Sequence, residues 1–278
     1  MNAFRTALNA STLFPFRLTL PEQIRVAAEA GYEGIELWVK DVDAYLGQGG
    51  SLAELRRFAG DEGIAFANAI SFWKWADTDE RERAAGLELA IRESEWLAEL
   101  GCPSAAAPPY GDTEGSSAER FADCYGELAR RIRPLGVDPL LEFWGRAKAL
   151  SRLEEAMAVV ERSEAADAKL LLDPFHMYTG GSSLELLSRL SGDRIGIVHV
   201  NDYSADPPRE TIQDSDRVLP GEGVFPSERF ASLLNAAGYR EFLSLELFIP
   251  DFGPRSALEV ARQGLEAVRR SYGITRTG

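Results

Sequence analysis

The sequence predicts a single (β/α)8 barrel, and three observations carry this prediction. A chain of 278 residues has the natural length of one α/β barrel. Its hydrophobic content of 45% is ample for a large core. Apolar runs of strand length alternate with amphipathic helical segments, at intervals of about 30 residues, the period of a βα unit. Eight such units favour a parallel sheet that closes on itself.

The eight predicted strands are short apolar runs bounded by polar residues, glycine or proline. The fourth has the weakest pattern, because alanine and proline are poor strand formers. The predicted strands comprise residues 5–11, 34–39, 64–71, 103–108, 139–144, 169–175, 196–201 and 242–248.

Helical periodicity fills the intervals between these strands. In "PEQIRVAAEAG" we expect Pro21 to begin a helix and Gly31 to end it. The same pattern occurs in "ERERAAGLELAIRESEWLAELG", "SERFASLLNAAG" and "SALEVARQGLEAVRRSYG". The longest irregular stretch, residues 202–226, follows the seventh strand. Long structureless loops in compact domains are usually functional.

Charge and composition narrow the class of partner. Thirty basic residues against 44 acidic ones give a net charge of −14, which repels phosphate backbones and anionic membranes, so we expect no nucleic acid and no membrane partner. Small neutral polar substrates fit better. Cys102 and Cys124 have no paired spacing and are expected to be buried free thiols. No long apolar segment and no leader pattern occurs, so the sequence predicts a cytoplasmic protein, with its oligomeric state left open.

Four ionisable residues stand near the carboxyl ends of four consecutive predicted strands, each alone in its apolar run. They are Glu142 in "LLEFW", Asp173 in "LLLDPF", His199 in "IVHV" and Glu246 in "LSLELF". Consecutive barrel strands are neighbours, and barrel chemistry lies at this end, so the four side chains are expected to converge. Three converging carboxylates repel one another without a cation. Such a set suits one divalent ion, Mn²⁺ first, with Mg²⁺ or Co²⁺ as alternatives, and admits Zn²⁺.

Each of three further residues has two possible roles. Trp73, in "SFWKWAD", follows the third strand and is either a sugar-packing wall or ordinary packing under a loop. His176 is a packed or capping residue, or a substrate contact above the metal. Arg217, in "QDSDRVLPGEG", is a solvated loop arginine or a functional one.

The motifs together resemble those of the xylose isomerase-like TIM barrels, a family that includes sugar isomerases, sugar epimerases and apurinic endonucleases. The resemblance covers the whole chain and is carried by "LLEFWG", "LLLDPFHMYTGGSSLELL", "VHVNDY", "DSDRVLPGEG" and "LSLELF". It is greatest to the branch that isomerises inososes in bacterial inositol catabolism, and it implies one domain over residues 1–278.

The resemblance also implies roles for individual residues. The four strand-end residues bind one divalent metal, as the spacing predicts independently. Glu142 and Glu246 act as the acid–base pair, and His176 and Arg217 contact substrate hydroxyls. Apurinic endonucleases need additional histidines, one of them directly after an Asp-Arg pair. Here Val218 follows that pair, and the chain has only two histidines, so this branch is disfavoured.

The expected chemistry is removal of the proton next to a carbonyl group, with the metal as Lewis acid stabilising the enediolate. Return of the proton to the neighbouring carbon gives isomerisation, and return to the opposite face gives epimerisation of an inosose or ketose. The same residues would also serve a keto-inositol dehydratase or a 3-keto-glycoside lyase. A non-catalytic carbohydrate-binding barrel is the remaining alternative.

Overall fold

Eight parallel strands form a closed barrel, as the sequence predicts. The structure, a computed structural model, describes residues 4–165 and 167–275. The strands follow one another around the barrel in chain order, and the last pairs with the first. They are β1 (Arg5–Asn9), β2 (Gly34–Trp38), β3 (Ala65–Ile70), β4 (Ser104–Ala107), β5 (Asp138–Leu141), β6 (Lys169–Leu172), β7 (Ile195–Val200) and β10 (Phe242–Leu245). Two short strands, β8 (Asp202–Tyr203) and β9 (Arg217–Val218), form a separate antiparallel pair.

Helices surround the barrel. They are α1 (Leu20–Ala30), α2 (Val39–Gly47), α3 (Leu52–Asp61), α4 (Glu80–Leu100), α5 (Ala118–Ile132), α6 (Leu153–Arg162), α7 (Pro174–Gly180), α8 (Ser227–Ala237) and α9 (Ala257–Tyr272). Short 3-10 helices occupy Ala10–Phe16, Arg133–Leu135, Leu184–Arg189, Gly192–Arg194 and Asp214–Asp216. None of the helices in the described ranges is both long enough and apolar enough to cross a membrane.

The helix boundaries follow local capping chemistry. Thr19 precedes α1 and forms a reciprocal capping box with Glu22, and Gly31 ends the helix with a φ of 93°. Asp79 accepts hydrogen bonds from the first backbone N–H groups of α4. These ends lie within one residue of the predicted ones, because caps and glycine stops are local signals.

Side-chain alternation along the strands explains where the polar groups lie. An apolar cluster that includes Ala7, Leu140, Leu171 and Ile197 packs together inside the barrel. Because strand side chains repeat every two residues, the next inward positions are two residues further along each strand. Those positions carry Asn9, Glu142, Asp173 and His199, all buried.

Two expectations about local structure need correction. Strands β5, β6 and β10 are shorter than predicted, so Glu142, Asp173 and Glu246 each stand one residue past the end of their strand. The stretch after β7 is not structureless, since Asp202 pairs with Val218 and Tyr203 with Arg217 in an antiparallel ladder. Cys102 and Cys124 are buried and free, as expected.

Candidate metal and substrate site

Three of the four predicted metal ligands form one buried cluster at the carboxyl end of the barrel. One ligand atom from each of Asp173, His199 and Glu246 lies within 4.8 Å of the others. Nδ1 of His199 is 3.1 Å from Oε2 of Glu246 and 3.6 Å from Oδ2 of Asp173. Burial lowers the pKa of His199, but Glu246 and Glu36 raise it well above its ordinary value. An imidazole nitrogen and two carboxylate oxygens therefore converge on one point.

The imidazole of His199 has one satisfied and one unsatisfied nitrogen. Its Nε2 lies 3.1 Å from Oε1 of Glu36. Its Nδ1 is buried and makes no hydrogen bond, although it faces two carboxylates. When Nδ1 is deprotonated, its lone pair joins the facing oxygens of Asp173 and Glu246 as a set of donors that lie within 4.8 Å of one another. Mixed nitrogen and oxygen donors of this kind fit a divalent metal ion.

Arg217 lies beside this cluster and binds its carboxylates. Nη1 is 2.9 Å from Oδ2 of Asp173 and 2.7 Å from Oε2 of Glu246, while Nη2 is 2.7 Å from Oδ1 of Asp214. The side chain is only 1% exposed. Burial by itself would raise the pKa of Asp173, but Arg217 and His176 hold this pKa well below its usual range. The predicted substrate contact is thus also a buried counter-charge for the site.

Glu142, the fourth predicted ligand, is adjacent to the three-residue cluster and does not belong to it. Nε2 of His176 is 3.8 Å from Oε1 of Glu142 and 3.9 Å from Oδ2 of Asp173, so His176 lies between the two carboxylates. Burial raises the pKa of Glu142 to about 8. His199 opposes this increase, and the carboxylates of Glu246 and Asp173 add to it. Burial also lowers the pKa of His176. Glu142 therefore differs electrostatically from the other carboxylates.

A pocket of about 400 Å³ opens above these residues. Its polar lining includes Glu142, His176, Arg217 and Glu246. Its aromatic lining consists of Trp38, Phe72, Trp144, Phe175 and Phe248. Ring centroids of neighbouring wall aromatics lie 5.3–6.1 Å apart, as between Trp38 and Phe72 or Phe72 and Trp144. Such a pocket offers apolar faces and a few polar groups to a small molecule.

Trp73 does not line this pocket. Its side chain is fully buried, and its Nε1 donates a 2.6 Å hydrogen bond to Oε2 of Glu93 on α4. The neighbouring Phe72 lines the pocket instead. Successive side chains of a strand point to opposite sides. A prediction that is wrong by one position therefore selects Trp73, which faces α4, in place of Phe72, which faces the pocket.

Sequence reasoning missed a layer of polar residues beneath the cluster. Glu36 on β2 is fully buried and bonds to His199. Asn201 donates to Oδ1 of Asp173, and Asn9 donates to both Glu36 and Glu246. The other carboxylates were identified as single ionisable residues in apolar runs. Glu36 meets the same criterion, because it is the only ionisable residue in "GIELWV".

Comparisons with known proteins agree with this architecture. The family model of xylose isomerase-like TIM barrels matches residues 24–271. Inosose isomerase of Bacillus velezensis is 28% identical over 268 residues, which cover 91% of this chain and 93% of that protein. A 3-dehydroshikimate dehydratase of Pseudomonas aeruginosa is 28% identical over 263 residues, which cover 90% of this chain and 39% of that protein. The crystal structure of IOLI protein with a bound zinc atom superposes with a TM-score of 0.90 at 24% identity, covering 99% of this chain and 100% of that one.

Proposed function

The chain belongs to the xylose isomerase-like TIM barrel family, and from this premise we propose that it is a divalent-metal-dependent isomerase or epimerase of a polyol ketone. The observation that carries the proposal is the buried cluster of Asp173, His199 and Glu246, in which Nδ1 of His199 makes no hydrogen bond and faces both carboxylates. The cluster adjoins a pocket that is lined by a second candidate acid–base group, Glu142.

Asp173, His199 and Glu246 would hold the metal, with Glu142 as a fourth ligand. When bound, the metal supplies Lewis acidity, which stabilises the negative charge that develops on a carbonyl oxygen as the neighbouring proton leaves. Mn²⁺ remains the first candidate, and the zinc atom in IOLI protein supports Zn²⁺ as an alternative. Arg217 keeps the carboxylates of Asp173 and Glu246 paired and oriented.

Glu142 and Glu246 would move the proton. They lie in contrasting surroundings, since Glu246 is 2.7 Å from Arg217 and accepts a hydrogen bond from Asn9, whereas burial raises the pKa of Glu142 to about 8. Two carboxylates in different environments are the usual arrangement for an acid and a base at neutral pH. One would remove the proton next to the carbonyl and the other would return it. His176, 3.8 Å from Glu142, would orient that carboxylate and bind a substrate hydroxyl.

The pocket and the relatives both support an inosose or ketose as the substrate class. Aromatic walls fit the C–H faces of an inosose or ketose, while the charged lining fits its hydroxyl edge. Inosose isomerase matches this chain over nearly the full length of both proteins, which favours an inosose and a place in inositol catabolism.

Elimination is the second candidate, and the dehydratase relative at equal identity favours it. Loss of a β-hydroxyl after the same proton removal would make the protein a keto-inositol dehydratase, and loss of a sugar group would make it a 3-keto-glycoside lyase. The residues that remove the proton are the same in each case.

A solvent-exchange assay tests the proposal. Mn²⁺-loaded protein in D₂O is incubated with inososes and ketoses, with chelator-treated protein and Glu142→Gln as controls, and followed by NMR. Deuterium next to the carbonyl together with a new keto isomer or epimer is the expected result. An unsaturated product would establish elimination, and absence of exchange on every substrate would favour a carbohydrate-binding barrel.

A further inference from the structure

Glu36 is a fully buried charged residue outside the lining of the pocket. It lies on β2, its side chain is 0% exposed, and it is not among the pocket-lining residues. Each of its carboxylate oxygens has two close polar neighbours. Oε1 lies 2.8 Å from Nδ2 of Asn68 and 3.1 Å from Nε2 of His199. Oε2 lies 2.8 Å from Nδ2 of Asn9 and 2.6 Å from Oγ of Ser244.

The orientation of the two amides around Glu36 is determined by their contacts. Oδ1 of Asn9 accepts hydrogen bonds from the indole N–H of Trp38 and the backbone N–H of Ser11. Oδ1 of Asn68 accepts a hydrogen bond from the hydroxyl of Ser104. The NH₂ group of Asn9 must therefore point at Glu36, because indole and backbone N–H groups can only donate. Asn68 takes the same orientation because its reversal would place Oδ1 against the carboxylate of Glu36.

The same contacts determine which nitrogen of His199 bears a proton. A carboxylate surrounded by fixed donors is an acceptor only, so Nε2 of His199 must donate to it. The hydrogen bond aims the opposite nitrogen, Nδ1, at Asp173 and Glu246, where it has no hydrogen-bond partner. The contact with Glu36 is thus on the side of the ring opposite to the two carboxylates of the cluster.

We propose that Glu36 is a positioning residue that holds His199 with a proton on Nε2, so that Nδ1 is presented to a divalent metal. The proposal rests on the metal-dependent function above and adds a residue to it. Histidines that bind metals commonly donate their other N–H to a carboxylate, which fixes the ring and increases its strength as a ligand. The competing explanation is that Glu36 only neutralises a buried histidine and has no effect on metal binding.

The chain suits a direct NMR test, because His176 and His199 are its only histidines. In a His176→Gln variant, every histidine signal of ¹⁵N-histidine-labelled protein comes from residue 199. With Zn²⁺ alone as the probe, we expect a metal-bound Nδ1 and a slowly exchanging proton on Nε2. Zinc bound through Nε2, or a ring unaffected by zinc, would overturn the proposal.

Glu36→Gln tests the energetic consequence. Glutamine keeps one acceptor oxygen, but its NH₂ group must face fixed donors and it lacks the negative charge that strengthens the bond from Nε2, so the affinity for Zn²⁺ in a chelator competition should fall by roughly 10–100-fold. The d–d absorption spectrum of the Co²⁺-loaded variant should also change. Glu36→Asp, which keeps the charge on a shorter side chain, should restore part of the affinity.

Two controls separate this effect from general damage. Glu33→Gln makes the same chemical change at an exposed residue just before β2, where the carboxylate accepts a hydrogen bond from the backbone N–H of Thr6, and should leave Zn²⁺ affinity unchanged. Tyr125→Phe removes a buried hydrogen bond to Pro139 in the barrel wall and should lower Tm without lowering Zn²⁺ affinity.

The outcomes distinguish this proposal from the proposed function. If the parent protein binds zinc and Glu36→Gln binds it equally well, Glu36 has no positioning role and the enzyme assignment stands. If the parent protein binds no divalent metal, both proposals fail. If Glu36→Gln does not fold, the NMR experiment, which leaves Glu36 in place, decides the question.

Discussion

Buried charges of opposite sign face one another in the site. Asp173, Glu246 and Glu36 are carboxylates with almost no solvent contact, Arg217 is the cation beside Asp173 and Glu246, and His199 lies between those two residues and Glu36. Isolated buried charges are very costly, so each group here depends on its partners. A divalent ion at Nδ1 of His199 would add positive charge where carboxylate oxygens already converge.

We expect Glu142→Gln and Glu246→Gln each to lower turnover by at least about 10²-fold, the usual scale for a lost general base. Glutamine keeps the shape and one ligating oxygen of glutamate but not its basicity, so both variants should retain measurable Mn²⁺. Steady-state rates at saturating metal, with metal content measured in parallel, check this. Near-normal turnover of Glu246→Gln would exclude the two-carboxylate mechanism in favour of a single base.

Substitutions at the adjacent residues Phe72 and Trp73 test which side chain forms the pocket wall. Phe72→Ala removes a pocket-lining ring and should raise KM by roughly tenfold, equivalent to about 1.4 kcal/mol, with a small change in Tm. Trp73→Phe removes the hydrogen bond to Glu93 and should cost about 1–3 kcal/mol in the free energy of unfolding with KM unchanged. The reverse pattern would place Trp73 at the substrate.

Among the elements, the β8–β9 pair has a specific task, which is to carry Arg217 into the site. Asp202 anchors the segment by accepting hydrogen bonds from the backbone N–H groups of Gly221 and Phe225. The ring of Tyr203 stacks on that of Tyr178 in α7 at 4.0 Å. The hairpin is thereby tied to the helix that also carries His176.

Gly223 tests this arrangement, because a Cβ at this position would lie 2.2 Å from the carbonyl oxygen of Tyr203 and 2.3 Å from Oδ1 of Asp202. Gly223→Ala should therefore displace the hairpin, lower the free energy of unfolding by about 1–3 kcal/mol and reduce turnover through Arg217. Gly60→Ala in α3 is the control, since its Cβ would meet nothing within 4 Å and alanine favours helices. Thermal unfolding and turnover are measured on both variants. A Gly223→Ala variant with normal stability and turnover would show that the position of the hairpin does not affect the site.

For the whole molecule, the barrel joins residues from distant parts of the chain at one buried point. Strands β6, β7 and β10 supply or immediately precede the three clustered ligands, and β2 supplies Glu36 from the opposite end of the sequence. Closure of the barrel between β1 and β10 lets Asn9 reach Glu246, 237 residues away. A ligand held at this point should stabilise the entire fold.

We expect chelation to lower Tm and added Mn²⁺ to restore it. At a free metal concentration about 1,000 times Kd, linkage contributes about 4 kcal/mol, which raises Tm by roughly 8–16 °C for a domain near this size. Asp173→Asn should show a smaller increase at the same metal concentration, recoverable with excess Mn²⁺. Calorimetric scans with chelator, with Mn²⁺ and with Ca²⁺ as a control cation check this. Equal increases in parent and variant would place the bound metal elsewhere.

The eight-unit barrel, the ends of helices α1, α4, α8 and α9, and the residues Glu142, Asp173, His199 and Glu246 near strand ends could be predicted from the sequence, because caps, glycine stops and apolar periodicity are local properties. Which groups meet depends on long-range packing, as shown by the hairpin that buries Arg217, by Phe72 rather than Trp73 at the pocket, and by Glu36 beside His199. Glu36 is one charged residue in one short strand, and nothing in its local sequence indicates its partners. Those partners are residues of strands β1, β3, β7 and β10, and only the closed barrel brings them within hydrogen-bond distance.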